Sequence, residues 1–149
     1  MTVPRGSAKR TFEGVMETSD QVAPDSIRVL VAEDNPLSSE LMRDHLTLLG
    51  YAVDCAEDGN RTLTMAATGA YRVLLLDVNM PIYNGVEVLR LLRRKEATSP
   101  LKVIVVTADR LASRREELMG EGIDGYLTKP VDLDRLAGEL HRVLAERTA

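Results

Sequence analysis

Residues 74–81 read Leu-Leu-Leu-Asp-Val-Asn-Met-Pro, an apolar run that ends abruptly in a carboxylate and a turn. Consecutive apolar residues are typical of a strand buried on both faces of a parallel sheet, and ligands bind just beyond the carboxyl ends of such strands. Asp77 occupies that position. The octapeptide alone leaves three roles open for this side chain, namely a helix cap, a metal ligand or a nucleophile.

Strand-like and helix-like segments alternate on both sides of this run, a pattern that predicts a parallel sheet with helices on both faces. We therefore predict a doubly wound (βα)5 sandwich of three layers with the common strand order 2-1-3-4-5. The predicted strands cover residues 27–32, 51–55, 73–76, 103–106 and 125–128. Helices are predicted after each of them, over residues 36–49, 59–68, about 86–93, 111–119 and 133–144.

The first predicted helix has a clear start, because Asn35 is a good N-cap and Pro36 suits the first helical turn. In three other helices and in this one, apolar residues recur at helical spacing, which is typical of a face that packs on a sheet. These predicted faces are Leu37, Leu41 and Leu48; Leu63, Ala66 and Ala67; Val86, Leu89 and Leu92; and Leu133, Leu136, Leu140 and Leu144.

The chain length of 149 residues suits one domain of ordinary size. Residues 1–26 show neither helical nor strand periodicity, and we interpret them as a flexible N-terminal extension, either an expression-tag remnant or a linker. The predicted domain covers residues 27–149.

Composition excludes several classes of function. The formal net charge is −4 and no basic run occurs, which argues against direct binding to nucleic acid. The longest apolar runs are far too short for a membrane span, so we expect no membrane contact by this segment. Cys55 is the single cysteine, and the first residues lack the apolar core of a secretory signal, so a cytoplasmic location is expected.

Polar groups collect at the predicted carboxyl edge of the sheet. Glu33 and Asp34 follow the first strand and Asp77 follows the third. If these strands are neighbours, the carboxylates crowd together, and two like charges about 4 Å apart cost on the order of 4 kcal/mol at an intermediate dielectric. Such a cluster requires a cation. Carboxylate oxygens favour Mg²⁺, with Mn²⁺ as an alternative, and Mg²⁺ commonly binds together with phosphate oxygens.

Two further strand ends supply groups that suit a phosphoryl ligand. Lys129 offers a positive charge and Thr107 a hydroxyl, both positioned to hold oxygens of a group on Asp77. These parts match phosphoryl transfer, in which a carboxylate can serve as the acceptor and become an acyl phosphate. Pro130 fixes the chain direction after Lys129, and the sequence leaves open whether the bond between them is cis.

Four motifs together resemble the receiver domain of two-component response regulators and hybrid histidine kinases, over residues 27–147. They are Val-Ala-Glu-Asp-Asn at 31–35, Asp-Val-Asn-Met-Pro at 77–81 with Gly85, Thr-Ala at 107–108, and Tyr-Leu-Thr-Lys-Pro at 126–130. Any one of these motifs is weak, but their order on the predicted elements makes the signal specific.

The resemblance implies a flavodoxin-like fold and a role for each motif residue. By it, Asp77 is the phosphoacceptor, Asp34 and Asp77 hold Mg²⁺ directly, and Glu33 acts through water. Glu33 stands where the family more often has Asp. The remaining implied roles are a main-chain carbonyl of Asn79 on the metal, phosphoryl contacts from Thr107 and Lys129, and a switch in which Tyr126 moves inward as Thr107 is drawn toward the phosphoryl group.

The resemblance also implies partners. A sensor histidine kinase or a histidine phosphotransfer protein would donate the phosphoryl group, docking near Pro36 and Leu37. A downstream protein would use the surface around 112–119 and Tyr126. We expect a monomer or weak homodimer without enzymatic turnover, apart from self-phosphorylation and slow autodephosphorylation.

Two other functions use similar parts. A haloacid-dehalogenase-like phosphatase also pairs a nucleophilic Asp with Mg²⁺, Thr and Lys, but it has a second carboxylate two residues later as acid and base. Here that residue is Asn79. A flavodoxin-like FMN carrier shares the topology, but Glu33 and Asp34 would repel the FMN phosphate.

Overall fold

A computed structural model describes residues 26–80, 85–108 and 112–145. Residues 1–25 of the predicted extension, Pro81 and the last four residues lie outside these ranges. The division of the chain into an extension and one domain therefore stays a prediction.

Five strands and five helices alternate through the described residues, as predicted. Most of their ends lie within one or two residues of the predicted positions. The elements are β1 (Arg28–Ala32), α1 (Pro36–Leu48), β2 (Ala52–Ala56), α2 (Gly59–Ala66), β3 (Val73–Asp77), α3 (Gly85–Arg94), β4 (Lys102–Thr107), α4 (Ala112–Gly120), β5 (Gly125–Thr128) and α5 (Leu133–Ala145).

The strands form one parallel sheet in the order β2-β1-β3-β4-β5, which confirms the predicted topology. Ala32 at the end of β1 lies opposite Leu76, and Asp77 lies opposite Val106 of β4. Because all strands run the same way, the residues that follow β1, β3, β4 and β5 meet at one edge of the sheet.

Alternate strand residues supply the two faces of the sheet with separate cores. Leu74 and Leu76 of β3 pack with α2 and α3, whereas Val73 and Leu75 pack with α1 and α5. All five residues of β3 are buried. The apolar run is therefore explained by its central place in the sheet, where both side-chain rows are covered.

The buried face of α1 differs from the prediction. Leu37, Leu41 and Leu48 are 77%, 54% and 75% exposed, so the prediction that this face packs on the sheet is wrong. Leu46 is fully buried instead, and Met42 and Leu49 pack partly against the same core. The helix carries two apolar stripes at the same period, and only the stripe at positions 42, 46 and 49 faces the sheet.

The start of α1 and the other helices follow the prediction more closely. The Asn35 side chain accepts a hydrogen bond from the backbone N–H of Ser38 at 3.0 Å, and Pro36 is the first helical residue. Ala67 is exposed because α2 ends before it, and Thr62 takes the buried place instead. The predicted faces that the structure buries at least in part are Leu63 and Ala66, Val86, Leu89 and Leu92, and Leu133, Leu136, Leu140 and Leu144.

None of the helices in the described part of the chain combines the length and the apolar character needed to cross a bilayer.

Candidate functional site

Asp77 closes β3 and is 6% exposed. Its Oδ1 accepts a hydrogen bond from the backbone N–H of Asn79 at 2.9 Å, so the turn that follows the strand fixes the rotation of the carboxylate. The backbone of Gly85 donates to the Val78 carbonyl at 2.9 Å. A Cβ added to Gly85 would lie 2.4 Å from the Val78 Cα, so the start of α3 can press on this turn only because residue 85 is glycine.

Glu33 follows β1 and is also buried, with 7% exposure. Its Oε1 accepts from the Lys129 ammonium at 2.7 Å, and its Oε2 accepts from the Asn35 backbone N–H at 3.2 Å. Burial raises the pKa of Glu33 above its usual value, although the hydrogen bonds from Lys129 and Asn35 act in the other direction. A nearby cation stabilises the charged form of a buried carboxylate whose pKa is raised in this way.

Lys129 lies between the two buried carboxylates. Its Nζ is 2.7 Å from Glu33 Oε1 and 3.3 Å from Asp77 Oδ2, and its backbone N–H donates to the Thr107 carbonyl at 2.8 Å. Burial acts to lower the pKa of Lys129, but the hydrogen bond to Glu33 and the charges of Asp77 and Glu33 outweigh it, so the pKa lies above its usual value. The ammonium stays charged. The Lys129-Pro130 bond, which the sequence left open, is cis.

Glu33, Asp34 and Asp77 form an acidic cluster in which each side chain offers one oxygen, and these oxygens lie within 4.8 Å of one another. One ammonium stands against three carboxylates. Asp34 is exposed, so the cluster is open to water on one side. Two buried oxygen donors with an open side suit Mg²⁺, which keeps several of its waters and binds through few carboxylates. The donor set therefore fits a magnesium ion.

The structure brings Thr107 to the same edge, while Asn79 follows Asp77 and Tyr126 lies two positions back from the end of β5. Thr107 is fully buried at the end of β4, one residue beyond the partner of Asp77 in the sheet. Tyr126 lies on β5 opposite Val105 and is half-buried. Asn79 is exposed, and its role through the main-chain carbonyl stays a prediction.

Two contacts at Tyr126 were not predicted from the sequence. The guanidinium carbon of Arg115, on α4, lies 5.5 Å from the centre of the Tyr126 ring. The Tyr126 backbone N–H donates to Glu139 Oε2, on α5, at 3.0 Å. Each contact joins residues of different elements that are not linked by a local spacing or motif, so neither contact could be predicted from the sequence.

A groove runs from the acidic cluster along α1. It encloses about 340 Å³ between α1 and the loop after β5, and Leu41, Met42, Pro130 and Val131 are among its lining residues. Lys129 and Glu33 of the acidic site also line it. Of the three exposed leucines of α1, Leu41 therefore lines a groove that also includes Glu33 and Lys129 of the polar site.

Comparisons with known proteins agree on one family. A family model described as "Response regulator receiver domain" matches residues 29–141. Among curated proteins, the sensor histidine kinase RcsC of Salmonella typhi is 37% identical over 138 residues, which cover 91% of this chain and 14% of RcsC. The response regulator MprA of Mycobacterium bovis is 38% identical over 123 residues, which cover 83% of this chain and 52% of MprA. The chain thus spans about half or less of these relatives.

Solved structures show the same similarity. The receiver domain of the sensor histidine kinase PA1611 from Pseudomonas aeruginosa, with a magnesium ion coordinated in its active-site cleft, aligns with a TM-score of 0.76 and 29% identity, covering 81% of this chain and 99% of that one. The chemotaxis protein CheY4 of Vibrio cholerae aligns with a TM-score of 0.75 and 27% identity, covering 79% and 98% of the two chains.

Proposed function

The chain belongs to the family of response regulator receiver domains, and on that premise we propose that Asp77 is its phosphoacceptor. The donor is a phosphohistidine of a sensor kinase or of a phosphotransfer protein. The observation that carries this assignment is the position of Asp77, a buried carboxylate at the end of the central strand, with Lys129 Nζ at 3.3 Å and Glu33 and Asp34 beside it.

The contacts of Asp77 support a role as nucleophile. In the transfer, an Asp77 oxygen forms a bond to phosphorus while the bond between phosphorus and the donor's histidine nitrogen breaks. The electron pair of that bond returns to the imidazole ring. Because the Asn79 amide holds Oδ1 and Lys129 faces Oδ2, the carboxylate is already oriented before a donor arrives.

After the transfer, Lys129 and Thr107 act on the new group. The acyl phosphate adds charge at an edge that already carries Glu33 and Asp34, about −1.5 to −2 if it resembles a phosphomonoester. The Lys129 ammonium leaves Asp77 for the phosphoryl oxygens, and the Thr107 hydroxyl donates to one of them. These movements pull the ends of β4 and β5 toward Asp77.

Magnesium would be held by Asp34 and Asp77 directly, by Glu33 through water and by the main-chain carbonyl of Asn79, and Mn²⁺ could take its place. When bound, the ion neutralises negative charge on the phosphoryl oxygens. Glu33 and Lys129 hold each other at 2.7 Å, which keeps both side chains beside Asp77.

Membership of the receiver-domain family favours this function over the two alternatives considered from the sequence, a haloacid-dehalogenase-like phosphatase and an FMN carrier. Residue 79 is asparagine, so no carboxylate at that position can activate water. In hydrolysis, water attacks phosphorus, the bond to the Asp77 oxygen breaks, and the electron pair returns to the carboxylate. Without a base at residue 79 this reaction is slow, which suits a switch.

The phosphodonor docks on the exposed stripe of α1. Leu37, Leu41 and Leu48 are large, exposed and in one row, and Leu41 lines a groove that Lys129 also lines. Exposed apolar patches of this kind mark interaction sites. A helix of the donor seated on this stripe would bring its phosphohistidine to the acidic cluster.

Intact-mass analysis tests the acceptor. The full chain is incubated with Mg²⁺ and acetyl phosphate, and we expect one added phosphoryl group on the parent and none on Asp77→Asn. Asp58→Asn is a matched control, since Asp58 caps α2 through a hydrogen bond from Arg61 that Asn can also accept. The absence of an adduct on the parent, or an undiminished adduct on Asp77→Asn, would overturn the assignment.

A further inference from the structure

Tyr126 is held from two sides by residues of different helices. The Arg115 guanidinium of α4 lies over its ring at 5.5 Å, and the Glu139 carboxylate of α5 accepts its backbone N–H at 3.0 Å. Arg142 in turn donates to Glu139 at 2.9 Å and 3.2 Å. The backbone of Tyr126 is therefore fixed by α5, while its ring contacts an exposed cation on α4.

We propose that Arg115 is a positioning residue that holds the Tyr126 ring at the surface and thereby lowers the fraction of unphosphorylated chain in the switched conformation. This inference rests on the proposed function and on the switching role that the resemblance to receiver domains implies for Tyr126. Arg115 does not touch the phosphoryl group. It acts through Tyr126.

The Tyr126 ring also contacts the protein interior. Tyr126 already packs against a small apolar cluster that includes Val78, Val105 and Leu118. Val78 follows Asp77, and Val105 is two residues before Thr107. A ring that moves deeper into this cluster moves toward the phosphoacceptor and away from Arg115, which is exposed. We therefore expect an inward movement of the ring to break the cation–π contact.

Glu139 keeps Arg115 near the ring. The Arg142 side chain holds the pKa of Glu139 below its usual range, with smaller contributions from the Tyr126 amide and the charge of Arg115. Glu139 is thus an anion that contacts Arg142 and also attracts Arg115 through its charge. This attraction adds to the contact between Arg115 and the ring.

The size of the effect follows from the contact. A cation–π contact at an exposed site shifts an equilibrium about two- to fivefold. Removing the Arg115 cation should raise the ratio of switched to resting chain by that factor. A contact that is present in one state only can shift the equilibrium by no more than its own strength.

The test uses the full chain labelled with 3-fluorotyrosine. Four tyrosines are present, and the Tyr126 resonance is assigned from the spectrum of Tyr126→Phe. Its position is measured in the unphosphorylated parent, in the parent phosphorylated with acetyl phosphate and Mg²⁺, and in Arg115→Met and Arg115→Lys. Arg94→Met is the matched control, because Arg94 is an exposed arginine on the neighbouring helix α3. Adduct formation from acetyl phosphate is measured in parallel.

We expect the Tyr126 resonance of unphosphorylated Arg115→Met to move toward its position in the phosphorylated parent, with adduct formation about two- to fivefold faster. Arg115→Lys, which keeps the cation, and Arg94→Met should both resemble the parent. If Arg115→Met forms the adduct at the parent rate, or if its resonance does not move in that direction, the inference is overturned while the proposed function stands. If the parent itself forms no adduct, the proposed function fails and this inference falls with it.

Discussion

Replacing Lys129 with methionine should make the stability of the fold depend more strongly on divalent cations. The substitution keeps most of the side-chain volume and removes the ammonium that lies 2.7 Å from Glu33 and 3.3 Å from Asp77. Both carboxylates are less than 10% exposed, so they cannot recover the loss by turning to water. The pKa of Glu33, already raised by burial, should rise further without its strongest hydrogen-bond donor.

The magnitude follows from the contacts that are lost. A hydrogen bond to a charged group contributes about 1.5–3 kcal/mol, and breaking a fully buried ion pair costs about 3–5 kcal/mol. Lys129 keeps 28% of its side chain exposed, so the lower range applies. Without divalent cations, we expect the free energy of unfolding to fall by about 2–3 kcal/mol.

Magnesium should recover part of this loss, because the ion no longer has an ammonium beside it. If the variant binds Mg²⁺ about tenfold more tightly than the parent, the difference in unfolding free energy shrinks by about 1.4 kcal/mol at saturation. Urea unfolding with and without Mg²⁺ measures both quantities, and Lys95→Met, at an exposed lysine after α3, serves as the control. A Lys129→Met variant as stable as the parent without Mg²⁺, or a difference that Mg²⁺ leaves unchanged, would refute the reasoning.

Two further predictions concern the turn after Asp77 and the exposed face of α1. Gly85→Ala should lower the free energy of unfolding by about 1–3 kcal/mol and slow adduct formation, because its Cβ would lie 2.4 Å from Val78. The control Gly120→Ala should do neither, because its Cβ would have nothing within 4 Å. Equal effects of the two substitutions in urea unfolding and intact-mass analysis would contradict this prediction. Leu41→Gln should change stability by less than about 0.5 kcal/mol and leave the acetyl phosphate adduct intact while slowing transfer from a phosphorylated histidine phosphotransfer domain, whereas Leu46→Ala should cost about 2–5 kcal/mol. Unimpaired transfer to Leu41→Gln would remove α1 from the docking site.

The sheet and the positions of its polar edge were predictable because each rests on a local pattern. The run at 74–76 reports burial on both faces, and a carboxylate directly after it must lie at the carboxyl edge of the sheet. Asn35 and Pro36 start α1 through short-range contacts that the sequence displays. Patterns of this kind need no knowledge of the rest of the fold.

The buried face of α1 was not predictable from its period alone. Two apolar stripes at the same spacing compete for the sheet, and the choice depends on how α1 lies across β1 and β2. Fractional exposure of Leu41 and Leu46, 54% and 0%, records the outcome. The apolar stripe that does not pack on the sheet is the one that we propose as the docking surface for the phosphodonor.

The pairing of Lys129 with Glu33 was also missed. The sequence predicts that Lys129 holds oxygens of a group on Asp77, but in the structure its Nζ lies closer to Glu33 than to Asp77. Glu33 is one methylene longer than the aspartate common in the family at this position, so its carboxylate can reach across to β5 while its other oxygen binds Asn35. Whether a side chain is long enough to contact a neighbouring strand end depends on the folded structure, so this pairing could not be predicted from the sequence.

The contacts of α5 with β5 bear on how the protein behaves at high concentration. β5 is an outer strand of the sheet, and such strands offer unpaired backbone groups to neighbouring molecules. Here Glu139 occupies the Tyr126 N–H, and Arg142 donates to the Asp124 carbonyl at 2.7 Å. A foreign strand would have to displace both side chains before it could extend the sheet. The helix thus shields this border against aggregation.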